Sequence, residues 1–122
     1  MMSDPQHATP ISYEQIKSIA DNKPETTYII DVRNPGEFSA GNVPGSVNIP
    51  VTEIKEAFEL DENDFKNKYG IDKPKQNKDD EKLVFYCHAG MRCKKSVAQI
   101  ESLGYTKNVY MYLNGWSEYG NK

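Results

Sequence analysis

Three continuous apolar runs constrain the fold of this chain more than any other feature of its sequence. They are TTYIIDV at 26–32, KLVFYC at 82–87 and NVYMYL at 108–113. Such runs, rich in β-branched and aromatic residues, predict buried strands. A run without polar alternation is typical of a strand covered on both faces, which is the usual state in parallel sheets. The sequence therefore predicts an α/β fold, with a mostly parallel central sheet and helices on both faces.

Weaker signals complete a five-stranded sheet. A short edge strand is expected within ATPIS at 8–12, because Pro10 is tolerated at an edge, and another at 47–49. The segments between strands have the spacing of amphipathic helices, and several carry helix start or stop signals. Four helices are expected: one that begins at Ser12 with Gln15 in a capping box, one at 52–60, one between Asp61 and Gly70, and one that runs from Cys93 to Gly104. Single helical turns are expected within the loop segment 34–50 and near Trp116.

The length of 122 residues suits one domain, which we expect at residues 8–122 after a flexible tail at 1–7. Net charge is -3 and the Lys and Arg residues are scattered, which argues against a nucleic-acid partner. No apolar stretch is long enough to cross a bilayer, so no membrane partner is expected. Two cysteines do not form a disulfide framework, and the polar N-terminus lacks a secretory pattern. A reducing compartment, the cytoplasm, is therefore expected, with the mitochondrion left open.

Both cysteines lie in the segment YCHAGMRC at 86–93, between the second apolar run and a helix. Cys87 follows the strand at its carboxyl end, where ligands bind in parallel sheets. The strand–loop–helix arrangement directs backbone N–H groups and a helix N-terminus at one point, and both favour an anion and a thiolate. Gly90 allows the tight turn, and Arg92 adds hydrogen-bond donors for an oxyanion. The alternative interpretation is that Cys87 is a buried structural thiol at the end of a strand.

The order of three motifs resembles that of the rhodanese family. CHAGMRC at 87–93 is similar to its active-site loop of Cys-x-x-Gly-x-Arg. IIDVRNPGEFSAGNVPGSVNIP at 29–50 is similar to its Asp-Val-Arg and Gly-x-Ile-Pro-Gly signature, and NGWSEYG at 114–120 loosely matches its closing segment. Three motifs in the right order are far more specific than one short motif. The small single-domain thiosulfate sulfurtransferases look most similar.

The resemblance implies sulfur transfer in two steps through a persulfide on Cys87, the catalytic residue. The donor would be thiosulfate or a similar small anion, and the acceptor glutathione, another thiol or cyanide. The resemblance also implies an active-site loop that binds the substrate, formed by His88, Ala89, Gly90, Met91, Arg92 and Cys93. No cofactor or metal is expected, and we expect a monomer.

The roles of several residues near the loop can be interpreted in more than one way. Asp31 and Arg33 are expected to pair and fix the following loop, together with Glu37, as a supporting group. Cys93 is either a passive packed residue or a resolving thiol that attacks the persulfide. His88 is more consistent with an exposed loop residue than with a general base.

Two other functions remain open at this stage. In a phosphatase or arsenate reductase of the same fold, the corresponding loop would have five residues between its cysteine and its arginine. In this chain four residues separate Cys87 and Arg92. A binding module without activity would often lack the cysteine, which is present here. The sequence thus favours a sulfurtransferase, because function depends on the site more than on the fold.

Overall fold

The computed structural model describes residues 4–122, and the strands of this part of the chain form one parallel sheet. The strands are β1 Thr9–Pro10, β2 Thr27–Asp31, β3 Ser46–Asn48, β4 Lys82–Tyr86 and β5 Val109–Tyr112. Their spatial order is β1-β5-β4-β2-β3, and every pairing is parallel. The predicted five-stranded α/β architecture is confirmed, and the sheet is wholly parallel rather than mostly so.

Six α-helices occur within residues 4–122. They are α1 Tyr13–Asn22, α2 Pro35–Ala40, α3 Ile54–Glu59, α4 Glu62–Tyr69, α5 Met91–Ser102 and α6 Gly115–Tyr119. The predicted helix at 52–60 begins instead with a 3₁₀ turn at Val51–Glu53, because the Glu53 N–H donates to the Pro50 carbonyl and no side chain caps the start. Within the described residues, no helix is long and apolar enough to cross a membrane.

Local capping explains where the helices begin and end. Ser12 and Gln15 form the predicted capping box of α1. Asp61 accepts the Asp64 N–H at the start of α4, and Gly70 ends that helix with φ at 77°.

Alternating strand residues divide the core into two layers. On one face, Phe85 and Met111 pack with α3, α4 and α5. On the other, Val84 and Tyr112 pack with α1, and Trp116 of α6 packs against the same cluster. The predicted helices on both faces are therefore present, and burial of each large apolar side chain contributes about 1.5–3 kcal/mol.

The topology creates a crevice between β2 and β4. These strands are neighbours, yet the chain leaves β2 toward β3 at one edge and leaves β4 toward β5 on the other side. Asp31 and Tyr86, the last residues of the two strands, are aligned in register. Ligands of open parallel sheets bind where connections diverge in this way, at the carboxyl ends of the strands.

The N-terminal segment lies against α5. The backbone N–H groups of Gln6 and His7 donate to the Glu101 carboxylate, at 2.9 and 2.6 Å. Of the tail predicted at residues 1–7, residues 1–3 lie outside the described part, and its flexibility stays a prediction.

Candidate active site

Cys87 is the first residue after β4, and it lies at the divergence point of the sheet. It is 1 % exposed, and the Gly90 N–H donates to its sulfur at 3.0 Å. A backbone N–H in this position can stabilise negative charge that develops on the sulfur. The loop can turn back in this way because Gly90 has φ at 99° and lies where a Cβ would be 2.9 Å from the Leu113 carbonyl oxygen.

Helix α6 holds the other side of the loop. The backbone N–H groups of Trp116 and Ser117 donate to the carbonyls of Cys87 and His88, at 2.9 and 3.0 Å. The described peptide bonds are trans, so the N–H of each peptide points opposite to its carbonyl. The N–H groups of His88 and Ala89 therefore point away from α6, and α6 fixes the direction of these loop amides.

Arg92 lies in the first turn of α5 and forms an ion pair with Glu37 of α2. Its Nη1 donates to Oε1 of Glu37 at 2.6 Å, and its Nη2 donates to Oε2 at 3.2 Å. The hydrogen bond with Arg92 holds the pKa of the Glu37 carboxyl below its usual value, and the same bond raises the pKa of Arg92. Both side chains remain about one-third exposed, at 35 % for Arg92 and 32 % for Glu37. The guanidinium is therefore within reach of a small anion from solvent.

Asp31 and Arg33 form a buried pair beneath the site. Nη2 of Arg33 donates to Asp31 at 2.6 Å and to the Gly41 carbonyl at 2.7 Å, and its guanidinium lies 5.1 Å from the centre of the Trp116 ring. The expected pairing of these two residues is present, and it fixes the loop after β2. Glu37, which was expected to join this pair, instead forms its ion pair with Arg92 of α5.

The remaining predicted loop residues fall into two groups. His88, Ala89 and Met91 are exposed, and Met91 is 85 % exposed. Cys93 is fully buried in the core, and its thiol donates to the Phe85 carbonyl at 3.2 Å. Burial raises the pKa of the Cys93 thiol. Cys93 therefore has the environment of a packed core thiol, while the other residues form the rim of the loop.

Comparison with known proteins agrees with this geometry. The rhodanese-like domain family matches residues 12–122. This chain belongs to the rhodanese-like family. A human single-domain sulfurtransferase structure superposes with a TM-score of 0.82 at 33 % identity, and the match covers 94 % of this chain and 97 % of that one.

Curated relatives extend the match. The mouse thiosulfate sulfurtransferase/rhodanese-like domain-containing protein 3 is 39 % identical over 89 % of this chain and 66 % of its own length. The thiosulfate:glutathione sulfurtransferase of Saccharomyces cerevisiae is 34 % identical over 89 % of this chain and 78 % of its own length. These matches confirm the prediction of a rhodanese-like sulfurtransferase.

Sequence reasoning missed one part of this rhodanese-like site, the contact between α6 and the loop. The Trp116 side chain packs against the core cluster beside Arg33. Its backbone N–H, however, also holds the Cys87 carbonyl. Backbone hydrogen bonds leave no signature in side-chain identity. The glycine at position 115 is the sequence feature that indicates a close approach of α6 to the loop. A Cβ there would lie 2.3 Å from the Cys87 carbonyl oxygen.

Proposed function

We propose that this protein transfers sulfane sulfur from thiosulfate through a persulfide on Cys87. The observation that carries the proposal is the hydrogen bond from the Gly90 N–H to the Cys87 sulfur, at the bottom of a loop with oriented amides. The thiolate is the nucleophilic form of cysteine, and a backbone N–H at this distance can stabilise negative charge on the sulfur.

In the first step, the Cys87 thiolate attacks the outer sulfur of thiosulfate. A new bond forms between the two sulfur atoms while the sulfur–sulfur bond of thiosulfate breaks, and sulfite leaves with the bonding electron pair. No oxidant is needed, because the sulfane sulfur is passed on at its own oxidation level. The outer sulfur of the persulfide projects about 2 Å beyond the Cys87 sulfur, toward the exposed rim. Loop amides would stabilise its negative charge, as an oxyanion hole does.

In the second step, an acceptor takes the outer sulfur and releases the Cys87 thiolate. We propose glutathione as the natural acceptor, since a relative with 34 % identity is named a thiosulfate:glutathione sulfurtransferase. The glutathione thiolate attacks the outer sulfur, forms glutathione persulfide and returns the electron pair of the broken bond to Cys87. Cyanide would accept the same sulfur and leave as thiocyanate.

The size of the loop supports sulfur over phosphate. Four residues separate Cys87 and Arg92, one fewer than in the related phosphatase loop. In this shorter loop the Gly90 N–H lies 3.0 Å from the Cys87 sulfur. A phosphoryl group presents three equatorial oxygens that need a wider ring of donors.

We further propose that the protein acts as a monomer, without cofactor or metal, in the cytoplasm or another reducing compartment. Both cysteines are free in the structure, and both are buried. A reducing compartment keeps Cys87 available for the first step. Imaging of the tagged protein, expressed from its own locus, would test the compartment directly.

The test of the proposed function is the Cys87→Ser variant in a thiosulfate-to-glutathione assay. We expect the wild type to release sulfite and form glutathione persulfide, and the variant to do neither. Activity that survives in the variant would overturn the assignment of Cys87. Turnover of a phosphate ester by a wild type that releases no sulfite from thiosulfate would point to the phosphatase function.

A further inference from the structure

We propose that Glu37 is the positioning residue that aligns Arg92 for the sulfur donor. The inference rests on the proposed function, and it assigns Glu37 to one half-reaction only: loading of sulfur from the anionic donor. Glu37 lies in α2, the helix after β2, whereas Cys87 and Arg92 lie after β4. The pair therefore connects the two sides of the crevice between the strands.

Contacts within α2 position Glu37 independently of its ion pair with Arg92. It is the third residue of α2, where its N–H donates to the Asn34 side chain at 3.0 Å and its Oε1 accepts the Asn34 N–H at 3.3 Å. Pro35 at the helix start fixes the backbone further. A carboxylate in the first turn of a helix is also favoured by the helix dipole. Glu37 is thus a rigid anchor and not a flexible surface carboxylate.

Arg92 needs such an anchor. It is a cation in the first turn of α5, where the helix dipole is mildly unfavourable to positive charge. Its long side chain is about one-third exposed, and apart from Glu37 no hydrogen-bond partner of its guanidinium occurs within residues 4–122. Without Glu37, the guanidinium would sample many rotamers in solvent.

The pair leaves Arg92 able to bind a ligand. A guanidinium has five N–H donors, and Glu37 uses two of them. The three remaining donors can hold the oxygens of the thiosulfate sulfonate end, which leaves the outer sulfur free for Cys87. Because Glu37 fixes the plane of the guanidinium, it also fixes the direction of these donors. Loading depends on this alignment, whereas removal of the sulfur by cyanide involves no sulfonate group.

The experiment measures the two half-reactions separately. Purified wild type and Glu37→Gln are mixed with thiosulfate, and persulfide formation is followed by rapid quench and intact mass. Loss of a charge-assisted pair should slow loading by about tenfold. The loaded proteins are then mixed with cyanide, and we expect unloading rates that agree within about twofold. Circular dichroism and thermal unfolding establish that the variant is folded.

Asn34→Ala is the matched control. It removes the side chain that holds the Glu37 backbone but keeps the carboxylate and Arg92, so loading should slow by less than it does in Glu37→Gln. An Arg92→Ala variant gives the second control, because adding Glu37→Gln to it should slow loading no further. That lack of additivity is expected of a residue that acts through Arg92 and is not expected of a purely structural one.

The outcomes separate the two proposals. A wild type that loads no sulfur would overturn the proposed function and the inference with it. A wild type that loads normally, with Glu37→Gln loading equally fast or slowed equally in both half-reactions, would overturn the inference alone. Equal slowing in Asn34→Ala would assign the effect to helix capping and would also overturn it.

Discussion

The two cysteines of this chain are six residues apart in sequence and differ in their surroundings. Cys87 accepts a backbone N–H, whereas Cys93 donates its thiol proton to a carbonyl. A thiol that donates its proton in a hydrogen bond, as Cys93 does, is favoured in its neutral form. Burial adds to the difference by raising the pKa of the Cys93 thiol. The different hydrogen bonds are consistent with the proposed nucleophile at Cys87 and with a packed core thiol at Cys93.

Cys93→Ala should therefore keep both half-reactions. We expect sulfur loading and transfer within about twofold of wild type, and a free energy of unfolding lower by about 1 kcal/mol, as for a typical buried substitution. Urea unfolding and the sulfite-release assay measure the two quantities. A variant that loads sulfur normally but no longer passes it to glutathione would show that Cys93 acts as a resolving thiol.

The Glu37 carboxyl gives the stability of the protein a specific pH dependence. Pairing with Arg92 lowers the pKa of Glu37 in the folded state. Its contribution is fully present above the unfolded pKa of about 4.3 and is lost as the pH falls through the lower folded value. Because the pair is partly exposed, the contribution should stay below about 1 kcal/mol.

Urea unfolding of wild type and Glu37→Gln at a series of pH values measures this contribution. The wild type should be the more stable protein at pH 7, and the difference should shrink as the pH falls through the lowered pKa of Glu37. A difference that is constant between pH 7 and pH 3 would contradict the role of the carboxylate charge.

At the scale of elements, the active-site loop depends on a helix that contributes no side chain to the chemistry. Helix α6 binds the carbonyls of Cys87 and His88 through its backbone, and Gly115 allows the close approach. Gly115 has φ at 61°, and a Cβ would lie 2.3 Å from one carbonyl oxygen and 2.6 Å from the other. The end of the chain is thus part of the framework that orients the loop amides.

Gly115→Ala should slow sulfur loading by tenfold or more and destabilise the fold. Gly70→Ala is the matched control, because Gly70 has a similar φ of 77° but nothing lies within 4 Å of an added Cβ. The control should lose only the cost of left-handed backbone, about 1–2 kcal/mol, and keep its loading rate. Equal loading rates in the two variants would refute the role of α6.

The elements that sequence patterns predict are those governed by local rules. The apolar runs predict the central strands, and Ser12 with Gln15 and Asp61 with Gly70 predict helix ends, because caps and burial involve residues close in sequence. The loop position of Cys87 follows in the same way. The partner of Glu37 could not be predicted, since Arg92 is 55 residues away and the pair depends on strand order. The α6 contact likewise depends on backbone atoms brought together by folding.

At the scale of the whole molecule, the site is assembled over a buried ion pair. Asp31 is the last residue of β2 and Arg33 lies two residues further on, and their side-chain exposures are 0 and 2 %. Arg33 also donates to the Gly41 carbonyl. The Asn48 side chain donates to the carbonyls of both residues, which connects the end of β2 to β3. The crevice thus has a rigid base on the β2 side.

Asp31→Ala should destabilise the molecule by about 3–5 kcal/mol, because it leaves the Arg33 charge buried without its partner. The double replacement Asp31→Leu with Arg33→Met should cost less than the single change, since no unpaired charge remains. Urea unfolding of the three proteins measures both effects. A double variant destabilised as much as Asp31→Ala, or more, would contradict the view that the unpaired Arg33 charge causes the loss.

Intact-protein mass spectrometry of wild type, Cys87→Ser and Cys93→Ser, before and after thiosulfate, tests the central claim most directly. We predict that wild type and Cys93→Ser gain the mass of one sulfur atom, that Cys87→Ser gains none, and that glutathione or cyanide removes the added sulfur. A wild type that gains no sulfur when fully reduced, or a Cys87→Ser variant that gains it, would contradict the account.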